Sequence, residues 1–293
     1  MSVNREVEVL IPKKIHYCWF GENEKPELAN KCIESWKKYC PEYEIVEWNE
    51  SNFDVHCCAY VEEAYSKKKW AFVSDYARFW ILYHNGGVYF DTDVELIKPI
   101  DDIVQKGSFM GCEWLVEKNG KLTTGVATGL GLAFEANDGI CKSILDDYEN
   151  SLFIKKDGSL NTETVVARVT RILKRFGYEE SDGIQKVDNI YIYPPEYFCP
   201  MNYSTGELSI TCNTRSIHHY MASWHGDFEK KIEKIKRSYA ERGMSGCTSE
   251  KVQVLFLSFV YRIKSVGFAA TLKALVKWIR KKVKARIEKK QAS

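Results

Sequence analysis

The chain has 293 residues, of which 45% are hydrophobic, and a formal net charge of +2. This composition is ordinary for a globular protein, and the length suits one α/β domain with an appendage. The ten cysteines are scattered without a CxxC pair, which argues against a structural zinc site or a disulfide framework, so we expect reduced thiols. The sequence also lacks a signal-peptide pattern and an apolar run of 18 residues, and we expect a cytoplasmic protein.

Strands and helices alternate along the first part of the chain. A strand rich in aromatic residues is predicted over residues 11–21, where it ends at a glycine. Apolar residues at helical spacing predict helices over residues 25–39, 60–69 and 71–83, with a strand over residues 43–48. The sequence Asn85-Gly86-Gly87 ends the third helix and turns the chain into a short strand, residues 88–90.

The same alternation continues further along the chain. We predict strands over residues 108–113, 125–134 and 190–192, and helices over residues 139–150 and 162–176. Because strands that alternate with helices are usually joined by crossovers, the pattern predicts an α/β fold with a mostly parallel central sheet flanked by helices.

The predicted strand at residues 88–90 runs directly into Asp91 and Asp93. Side chains at positions i and i+2 of a strand point the same way, so we expect the two carboxylates side by side. Adjacent carboxylates repel each other unless a cation lies between them, and Mg²⁺ and Mn²⁺ are the cations that prefer such ligands. Ligands bind at the carboxyl ends of strands in α/β sheets, so the motif predicts a metal site for a phosphorylated substrate. An exposed Asp-x-Asp turn is the alternative.

Two further groups flank this motif. Asp75 and Arg78 are i, i+3 neighbours on the preceding helix, where they offer a carboxylate to a ribose hydroxyl and a guanidinium to a phosphate. A local salt bridge is the alternative for this pair. Trp19, at the end of the first strand, is suited to stack on a flat base. The alternative interpretation is that Trp19 is a core residue.

These segments together resemble glycosyltransferase family 32, the sugar transferases with a DXD motif, and especially bacterial capsular or cell-surface polysaccharide members. The combination of SDYAR at residues 74–78 with GGVYFDTD at residues 86–93 carries the resemblance, which covers about residues 8–226. The other matching segments are residues 11–21, 32–48, 128–131, 193–200 and 216–224. The same skeleton occurs in the catalytic domains of large glucosylating bacterial toxins, which use UDP-glucose.

The resemblance implies a GT-A fold, which is a Rossmann-like sheet flanked by helices, and a set of donor-binding residues. It implies that Trp19 stacks on the nucleobase and that Asp75 holds the base or the ribose. It implies that Arg78 reaches the phosphates or the sugar of the donor, and it places Tyr89 in the same nucleotide-sugar site.

The resemblance also implies a divalent metal, Mn²⁺ or Mg²⁺. Asp93 is expected to be its direct ligand, and Asp91 to bridge ribose, sugar and metal. A further segment, residues 216–224, contains adjacent histidines whose side chains face opposite sides of a strand. Imidazole is a good Mn²⁺ ligand, and the resemblance favours His218 over His219 for this role.

The same segment ends in Ser223 and Trp224, which the resemblance places over the diphosphate and the sugar of the donor. Trp224 offers its indole N–H as a hydrogen-bond donor. The expected catalytic set is therefore Asp91, Asp93, Arg78 and Trp224. The glycines of the loop at residues 125–131 lack the Rossmann spacing and are expected to let the backbone approach a sugar.

The carboxyl-terminal segment differs from the rest in charge. Residues 251–293 carry twelve Lys or Arg and one acid, a net +11, which leaves −9 for residues 1–250. Apolar residues at helical spacing over residues 272–287 make the segment amphipathic, which favours a helix on an anionic membrane surface. A helical cap on the catalytic domain is the alternative. Nothing in the sequence accompanies the charge that would indicate nucleic-acid binding.

The sequence thus predicts a GT-A domain over residues 1–230 and a basic helical extension over residues 231–293. The resemblance implies a metal-dependent, retaining transferase that moves a sugar from a nucleotide-sugar to a glycan or lipid-linked glycan in surface polysaccharide synthesis. The likeness to the toxins favours a UDP-linked over a GDP-linked donor. The expected location of the protein is the inner face of the cell membrane. Two alternatives remain: an aspartyl phosphatase that uses Asp91 and Asp93, and a non-catalytic membrane-bound scaffold.

Overall fold

A computed structural model describes residues 11–116, 122–202 and 207–221, together with residues 231–232, 234–235, 238–239, 242, 244 and 247–267. The chain divides into two compact units, one of Met1–Tyr203 with Glu207–Trp224 and one of Ser204–Gly206 with His225–Ser293. The predictions for Ser223, Trp224 and the amphipathic pattern at residues 272–287 fall outside the described residues.

Strands and helices alternate through the first part of the larger unit. Its elements are β1 (Lys14–Cys18), α1 (Glu27–Tyr39), β2 (Glu44–Trp48), α2 (Ala59–Ser66), α3 (Trp70–Asn85), β3 (Gly87–Tyr89), β4 (Val94–Leu96) and α4 (Asp101–Val104). Strand β1 pairs in parallel with β2 on one side and with β3 on the other. The carboxyl ends of these three strands therefore meet at one edge of the sheet.

The second part of this unit contributes six more strands. Its elements are β5 (Phe109–Val116), β6 (Leu122–Val126), β7 (Leu132–Phe134), α5 (Gly139–Glu149), α6 (Val165–Leu173), a 3₁₀ turn (Lys174–Phe176), β8 (Gln185–Val187), β9 (Ile190–Tyr193), α7 (Pro195–Phe198) and β10 (Ser216–His218). The single strand predicted over residues 125–134 is wrong, because the chain turns between β6 and β7. Leu130 N–H donates to Ala127 O within this turn.

The main sheet is mixed. Its strand order is β2-β1-β3-β7-β5-β9-β8, with β6 paired to β5. Strand β9 is parallel to β5, whereas β7 is antiparallel to both of its neighbours and β8 is antiparallel to β9. With helices flanking it, the sheet confirms the predicted α/β class and is consistent with the expected Rossmann-like GT-A fold.

The core of this unit forms two clusters of buried apolar side chains. Neighbouring residues of one strand enter different clusters: Tyr89 belongs to one cluster, and Val88 and Phe90 belong to the other. This alternation follows from the two-residue repeat of a strand. Helices α3 and α5 supply many residues of the first cluster, and α1 supplies Trp36 to the second. The short strand β3 is therefore held from both faces.

The turn from α3 into β3 requires its glycines. Gly86 caps the helix with φ 62°, and its N–H donates to Leu82 O at 2.8 Å. Gly87 has φ 107°, and a Cβ at this position would lie 2.9 Å from His16 Nε2. Both backbone conformations disfavour side chains, so this pair fixes the point where β3 begins.

The described part of the smaller unit contains one long helix, α8 (Thr248–Val266). The Cys247 side chain accepts a hydrogen bond from Glu250 N–H at its start, and Gly267 with φ 86° follows its last turn. Tyr239 and Ser249 share a hydrogen bond between their hydroxyl groups at 2.8 Å. Among the described residues, no helix has the length and apolarity needed to cross a membrane.

Candidate active site

Asp91 and Asp93 lie in a turn between β3 and β4 rather than in a strand. Asp91 N–H donates to Gly129 O at 2.8 Å, and Val94 N–H donates to Asp91 O at 3.1 Å, which closes the turn. The expectation that both aspartates continue the strand is therefore wrong, and strand alternation does not set the directions of their side chains. A turn breaks the two-residue repeat, and each carboxylate has its own partners.

Arg78 is the partner of Asp91. Its Nη2 lies 3.2 Å from Asp91 Oδ1 and 2.9 Å from Asp75 Oδ1, so one guanidinium contacts two carboxylates. The side chain is 3% exposed, and its Cζ lies 4.9 Å from the centre of the Tyr89 ring. Tyr89 also donates its hydroxyl to Asp91 Oδ1 at 3.1 Å. We call Asp75, Arg78, Tyr89 and Asp91 the Arg78 array.

The electrostatics of the Arg78 array follow from burial. Burial raises the pKa of Asp75 to about 6, although Arg78 opposes this shift. Burial also disfavours the charged form of Arg78, but Asp91, Tyr89 and Asp75 outweigh it and raise the pKa of the guanidinium. Arg78 is thus a fixed positive charge between two carboxylates, of which Asp91, one third exposed, is the more accessible.

The loop between β6 and β7 completes this side of the site. A Cβ on Gly129 would lie 1.8 Å from Asp91 Oδ2 and 3.3 Å from Arg78 Nη1. Thr128 accepts a hydrogen bond from Arg78 Nη1 at 3.4 Å and is fully buried. The sequence singled out the glycines of this loop as a place of close backbone approach. The structure places Gly129 against the first aspartate of the DXD motif, and the part played by Thr128 was missed.

Asp93 faces a different strand. Strands β4 and β10 form an antiparallel pair in which His218 is opposite Val94, so the chain beyond β10 runs beside Asp93. His218 Nε2 lies 3.3 Å from Asp93 Oδ2, and Met221 N–H donates to the same oxygen at 2.9 Å. His219 Nε2 instead lies 2.7 Å from Glu95 Oε2. The two histidines therefore serve different carboxylates, and the structure places His218, not His219, beside the DXD motif.

Asp93 and His218 stabilise each other's charged forms. Burial favours a neutral Asp93, but the neighbouring imidazole and the Met221 N–H outweigh it and lower the pKa of the carboxyl. Burial likewise favours a neutral His218, yet Asp93 raises the pKa of the imidazole well above its ordinary value. A pair held in this way can exchange the imidazole proton for a cation that both groups ligate.

Helix α1 holds the strand that carries this pair in place. Trp36 Nε1 donates to Val94 O at 2.8 Å, and Leu96 N–H donates to Ser35 Oγ at 2.9 Å. Both contacts are buried. The sequence did not predict this supporting role for Ser35 or Trp36. Each side chain contacts a backbone group about 60 positions further along the chain, and local spacing does not reveal such contacts.

Trp19 lies at the end of the first strand and makes its contacts within the protein. It follows β1 directly, is partly buried, and packs against the second core cluster. Its Nε1 donates to Asn23 O at 2.6 Å and its N–H donates to Trp48 O at 2.8 Å. Its predicted contact with a nucleobase therefore stays a prediction, as do the roles of Ser223 and Trp224 outside the described residues.

The donor set suits a divalent cation. Asp75, Asp91 and Asp93 bring three carboxylates to the site, and Arg78 and His218 are the positive partners of the described ion pairs there. The chemistry of the set also fits, since carboxylate oxygen and imidazole nitrogen both bind Mn²⁺. Asp93 and His218 are already within 3.3 Å of each other, whereas Asp91 points to Arg78.

Known proteins resemble this chain in the region that carries these residues. Residues 26–110 match the family described as "Glycosyltransferase sugar-binding region containing DXD motif". "Inositol phosphoceramide mannosyltransferase 1" of Schizosaccharomyces pombe (strain 972 / ATCC 24843) is 32% identical over 111 residues, which are 34% of this chain and 33% of the relative. The chain thus matches about a third of that relative's length.

Two solved structures share features of the backbone. "PaToxG Glycosyltransferase" has a TM-score of 0.42 and 20% identity over 56% of this chain and 69% of its own. A glycosyltransferase involved in glycosylation of the major capsid of PBCV-1 has a TM-score of 0.41 and 12% identity over 78% of this chain and 98% of its own.

The family match covers the Asp75–Arg78 helix, the Gly86-Gly87 turn and both aspartates, which are the segments that carry the resemblance seen in the sequence. DXD-containing glycosyltransferases typically bind a divalent metal through this motif. The comparisons therefore agree with the predicted family: the segment that carries the DXD motif is similar to DXD-containing glycosyltransferases.

Proposed function

We propose that the protein transfers a sugar from a nucleotide-sugar to a glycan or lipid-linked glycan, with retention of anomeric configuration and with a divalent metal. The observation that supports this most strongly is the surplus of carboxylates at one edge of the sheet. In the Arg78 array one guanidinium serves Asp75 and Asp91, and Asp93, two residues after Asp91, adds a further carboxylate that pairs with His218. A buried surplus of negative charge is unfavourable without a cation, and a diphosphate donor brings one.

The metal would be held by Asp93 and His218, with Asp91 reaching it or the ribose. Mn²⁺ suits this mixed oxygen and nitrogen set better than Mg²⁺, which prefers oxygen alone. When bound, the cation neutralises negative charge that develops on the diphosphate leaving group.

Arg78 and Asp75 orient the donor in this proposal. Arg78 keeps its position through Ser74 O, which accepts from Nε at 3.1 Å, and through the two carboxylates. A guanidinium held so firmly stabilises charge on phosphate or sugar without reorganising during the reaction. Asp75 accepts hydrogen bonds from donor hydroxyls when ionised. Trp19 stacks on the base, and Ser223 and Trp224 close over the diphosphate.

The family resemblance favours a UDP-sugar, whereas the mannosyltransferase relative makes mannose a second candidate for the transferred sugar. That relative's name also gives a phosphorylated lipid as the acceptor, which agrees in class with a lipid-linked glycan. Capsule or cell-surface polysaccharide synthesis is the setting that the sequence resemblance favours.

A peripheral position on an anionic membrane is part of the proposal. Residues 251–293 carry the net +11 charge. The described helix α8 also exposes Val252, Leu255 and Phe256, at 59, 58 and 68% of their surfaces, which are i, i+3 and i+4 neighbours on one helix face. Exposed apolar residues next to basic ones are typical of helices that lie in the headgroup region. This position would bring the enzyme to a lipid-linked acceptor at the inner face of the membrane.

Donor identity is tested by thermal shift and by hydrolysis. The full chain is screened with UDP- and GDP-sugars with and without Mn²⁺, and the donor should raise the melting temperature only with the metal. The same donor should be hydrolysed slowly when no acceptor is present. Trp19→Ala should weaken nucleotide binding by about 1–3 kcal/mol. Hydrolysis of phosphomonoesters instead would favour the aspartyl phosphatase, and inactivity towards both classes would favour the scaffold.

Membrane contact is tested by co-sedimentation with anionic and neutral vesicles. The attraction should fall with salt, since the Debye length shrinks to roughly 3 Å at 1 M. The full chain should sediment with anionic vesicles at low salt, and a V252E/F256E variant should do so less. Binding that survives deletion of residues 251–293 would contradict the anchor and favour a helical cap.

A further inference from the structure

A second group of potential ligands lies on the far side of His218 from Asp93. Glu113 of β5, Cys199 directly after α7, and His218 at the end of β10 each offer one ligand atom. These three atoms all lie within 4.8 Å of one another. In the described part of the chain, this is the one group of three or more His, Cys, Asp or Glu residues whose ligand atoms come this close together. They are separated by up to 105 positions in the sequence, so only the fold brings them together.

The imidazole leaves one nitrogen for this group. His218 Nε2 is directed at Asp93, whereas the buried Nδ1 has no hydrogen-bond partner in the described structure. A buried polar atom without a partner typically costs about 1–3 kcal/mol. The Cys199 thiol, fully buried, lies beside the ring, and its Sγ is 2.9 Å from the Tyr220 hydroxyl. By hydrogen-bond geometry Nδ1 has no partner among the described residues, and its neighbour is the Cys199 thiol, whose interaction with the ring helps to raise the pKa of the imidazole. A nitrogen, a thiol and a carboxylate that meet in this way offer three ligand atoms to a cation.

The chemistry of the three groups selects the kind of cation. Thiolate, imidazole and carboxylate together form a softer set than the oxygen-rich DXD motif, and Zn²⁺ is the common metal for such a set. Three protein ligands leave a fourth position for water, as in many zinc sites with an open coordination position. Zinc bond lengths put tetrahedral ligand atoms about 3.6 Å apart, so separations of up to 4.8 Å need side-chain movements of about 1 Å.

We propose that Glu113, Cys199 and His218 Nδ1 form a Zn²⁺ site that shares its histidine with the catalytic metal. The thiol releases its proton to solvent when the metal binds, and neutral His218 binds through Nδ1 while its Nε2–H donates to Asp93. Ligation of the catalytic metal requires the opposite tautomer, with Nε2 on the metal and the proton on Nδ1. A neutral imidazole cannot do both, so Zn²⁺ competes with the transfer reaction. This competition, but not zinc binding itself, depends on the proposed function.

Cobalt titration of the full chain tests the site, because Co²⁺ replaces Zn²⁺ and absorbs light when a thiolate ligates it. The background is a C57S/C58S variant, which removes an adjacent cysteine pair that could bind cobalt elsewhere. We expect one equivalent of Co²⁺ to produce a thiolate-to-cobalt absorption band, and Zn²⁺ to abolish it. Adding Cys199→Ser should remove the band, whereas Cys40→Ser, a buried cysteine outside the cluster, should keep it.

Two further variants separate this proposal from the proposed function. Asp93→Asn should keep the cobalt band whether or not the enzyme transfers sugar, because Asp93 is not a ligand of the zinc site. Glu113→Gln, which keeps the shape of the side chain, should keep the band but require more cobalt, and it serves if Cys199→Ser does not fold. Absence of the band in the background protein, or cobalt binding unchanged in both Cys199→Ser and Glu113→Gln, would overturn the proposal.

The effect of Zn²⁺ on catalysis is measured as the ratio of the donor-hydrolysis rates with and without Zn²⁺. Mn²⁺-dependent donor hydrolysis is measured with and without Zn²⁺ in each protein. Zn²⁺ should lower the rate in the background protein, and the ratio of the two rates should approach one in Cys199→Ser. Equal zinc inhibition in both proteins would show that Zn²⁺ acts elsewhere and would refute the competition.

Discussion

Two buried arginines of the larger unit occupy opposite electrostatic situations. Arg78 is 3% exposed and is shared by Asp75 and Asp91. Arg168 is 1% exposed and pairs with Asp147 at 2.5 Å and Glu163 at 3.3 Å. The difference is a second arginine: Arg171 contacts the same two carboxylates at 3.0 and 3.1 Å.

We call Arg168, Arg171, Asp147 and Glu163 the Arg168 network. This network is balanced, with two guanidiniums for two carboxylates, whereas the Arg78 array has one guanidinium that pairs with two carboxylates. Arg168 also lies over the Tyr148 ring, with Cζ at 4.1 Å from its centre, and donates to Ser151 Oγ at 3.3 Å. These contacts tie α6 to α5 and need no ligand. A buried ion network with balanced charge fits a structural role, and one with surplus charge fits a cation-binding role.

Removing each arginine should expose this difference. Arg78→Met leaves the buried Asp75 and the partly exposed Asp91 without their cation, which should destabilise the protein by about 3–5 kcal/mol. Arg168→Met should cost less, because Arg171 still pairs with Asp147 and Glu163. The loss in Arg78→Met should shrink between pH 8 and pH 5, since Asp75, whose pKa burial already raises to about 6, can take up a proton. Urea denaturation of both variants at the two pH values measures this, and equal losses with equal pH dependence would contradict the comparison.

Asp93→Asn and Asp147→Asn should separate function from stability. Asp93→Asn should lower Mn²⁺-stimulated donor hydrolysis by about 10²–10³-fold, because it removes a charge that holds the cation on the leaving group. Asp147→Asn should leave hydrolysis near the wild-type rate but lower the melting temperature, since Arg168 loses its shortest ion pair. Steady-state kinetics and thermal denaturation of both proteins decide this. Near-wild-type, Mn²⁺-stimulated turnover in Asp93→Asn would end the metal assignment.

The buried His16, which burial keeps neutral, should make the stability of the protein depend on pH. Burial lowers the pKa of His16 to about 4, although Gly86 O, which accepts from Nε2 at 3.1 Å, opposes this. Trp48 Nε1 donates to Nδ1 at 3.1 Å, which fixes this tautomer. A histidine in an unfolded chain titrates near 6.5. As the pH falls from 6.5 to 4, His16 therefore binds a proton in the unfolded state but stays largely neutral in the folded state. Stability should therefore fall by up to about 3 kcal/mol over this range.

The control for this prediction is the exposed His56. His16→Gln should remove most of this slope in plots of unfolding free energy against pH, and His56→Gln should leave it in place. A slope that persists in folded His16→Gln would assign the acid sensitivity to other groups.

Two glycine substitutions test how tightly the Arg78 array is packed. Gly129→Ala puts a methyl group 1.8 Å from Asp91 Oδ2, so the carboxylate or the loop must move, at a cost of about 1–3 kcal/mol. Donor hydrolysis should fall with it. Gly139→Ala at the start of α5 meets no atom within 4 Å and should be neutral or stabilise by about 0.4–1 kcal/mol. Thermal denaturation and donor hydrolysis compare the pair, and a fully active Gly129→Ala would mean that Asp91 tolerates displacement.

The sequence alone determined the features that depend on neighbouring residues. The alternation of helices and strands, the end of α3 at Gly86-Gly87 and the placing of Asp75 and Arg78 on one helix face all follow from local spacing. The DXD family was also readable, because its residues lie within a continuous stretch that the family match covers.

Only the tertiary structure decided which groups meet. The aspartates of the DXD motif have different partners, because Asp91 pairs with Arg78 and the β4–β10 pairing brings His218 to Asp93. The antiparallel insertion of β7 and the buried Arg168 network likewise depend on contacts between distant segments. Local spacing carries no information on such contacts, because the energy that selects them comes from burying charges and apolar surfaces that lie far apart along the chain.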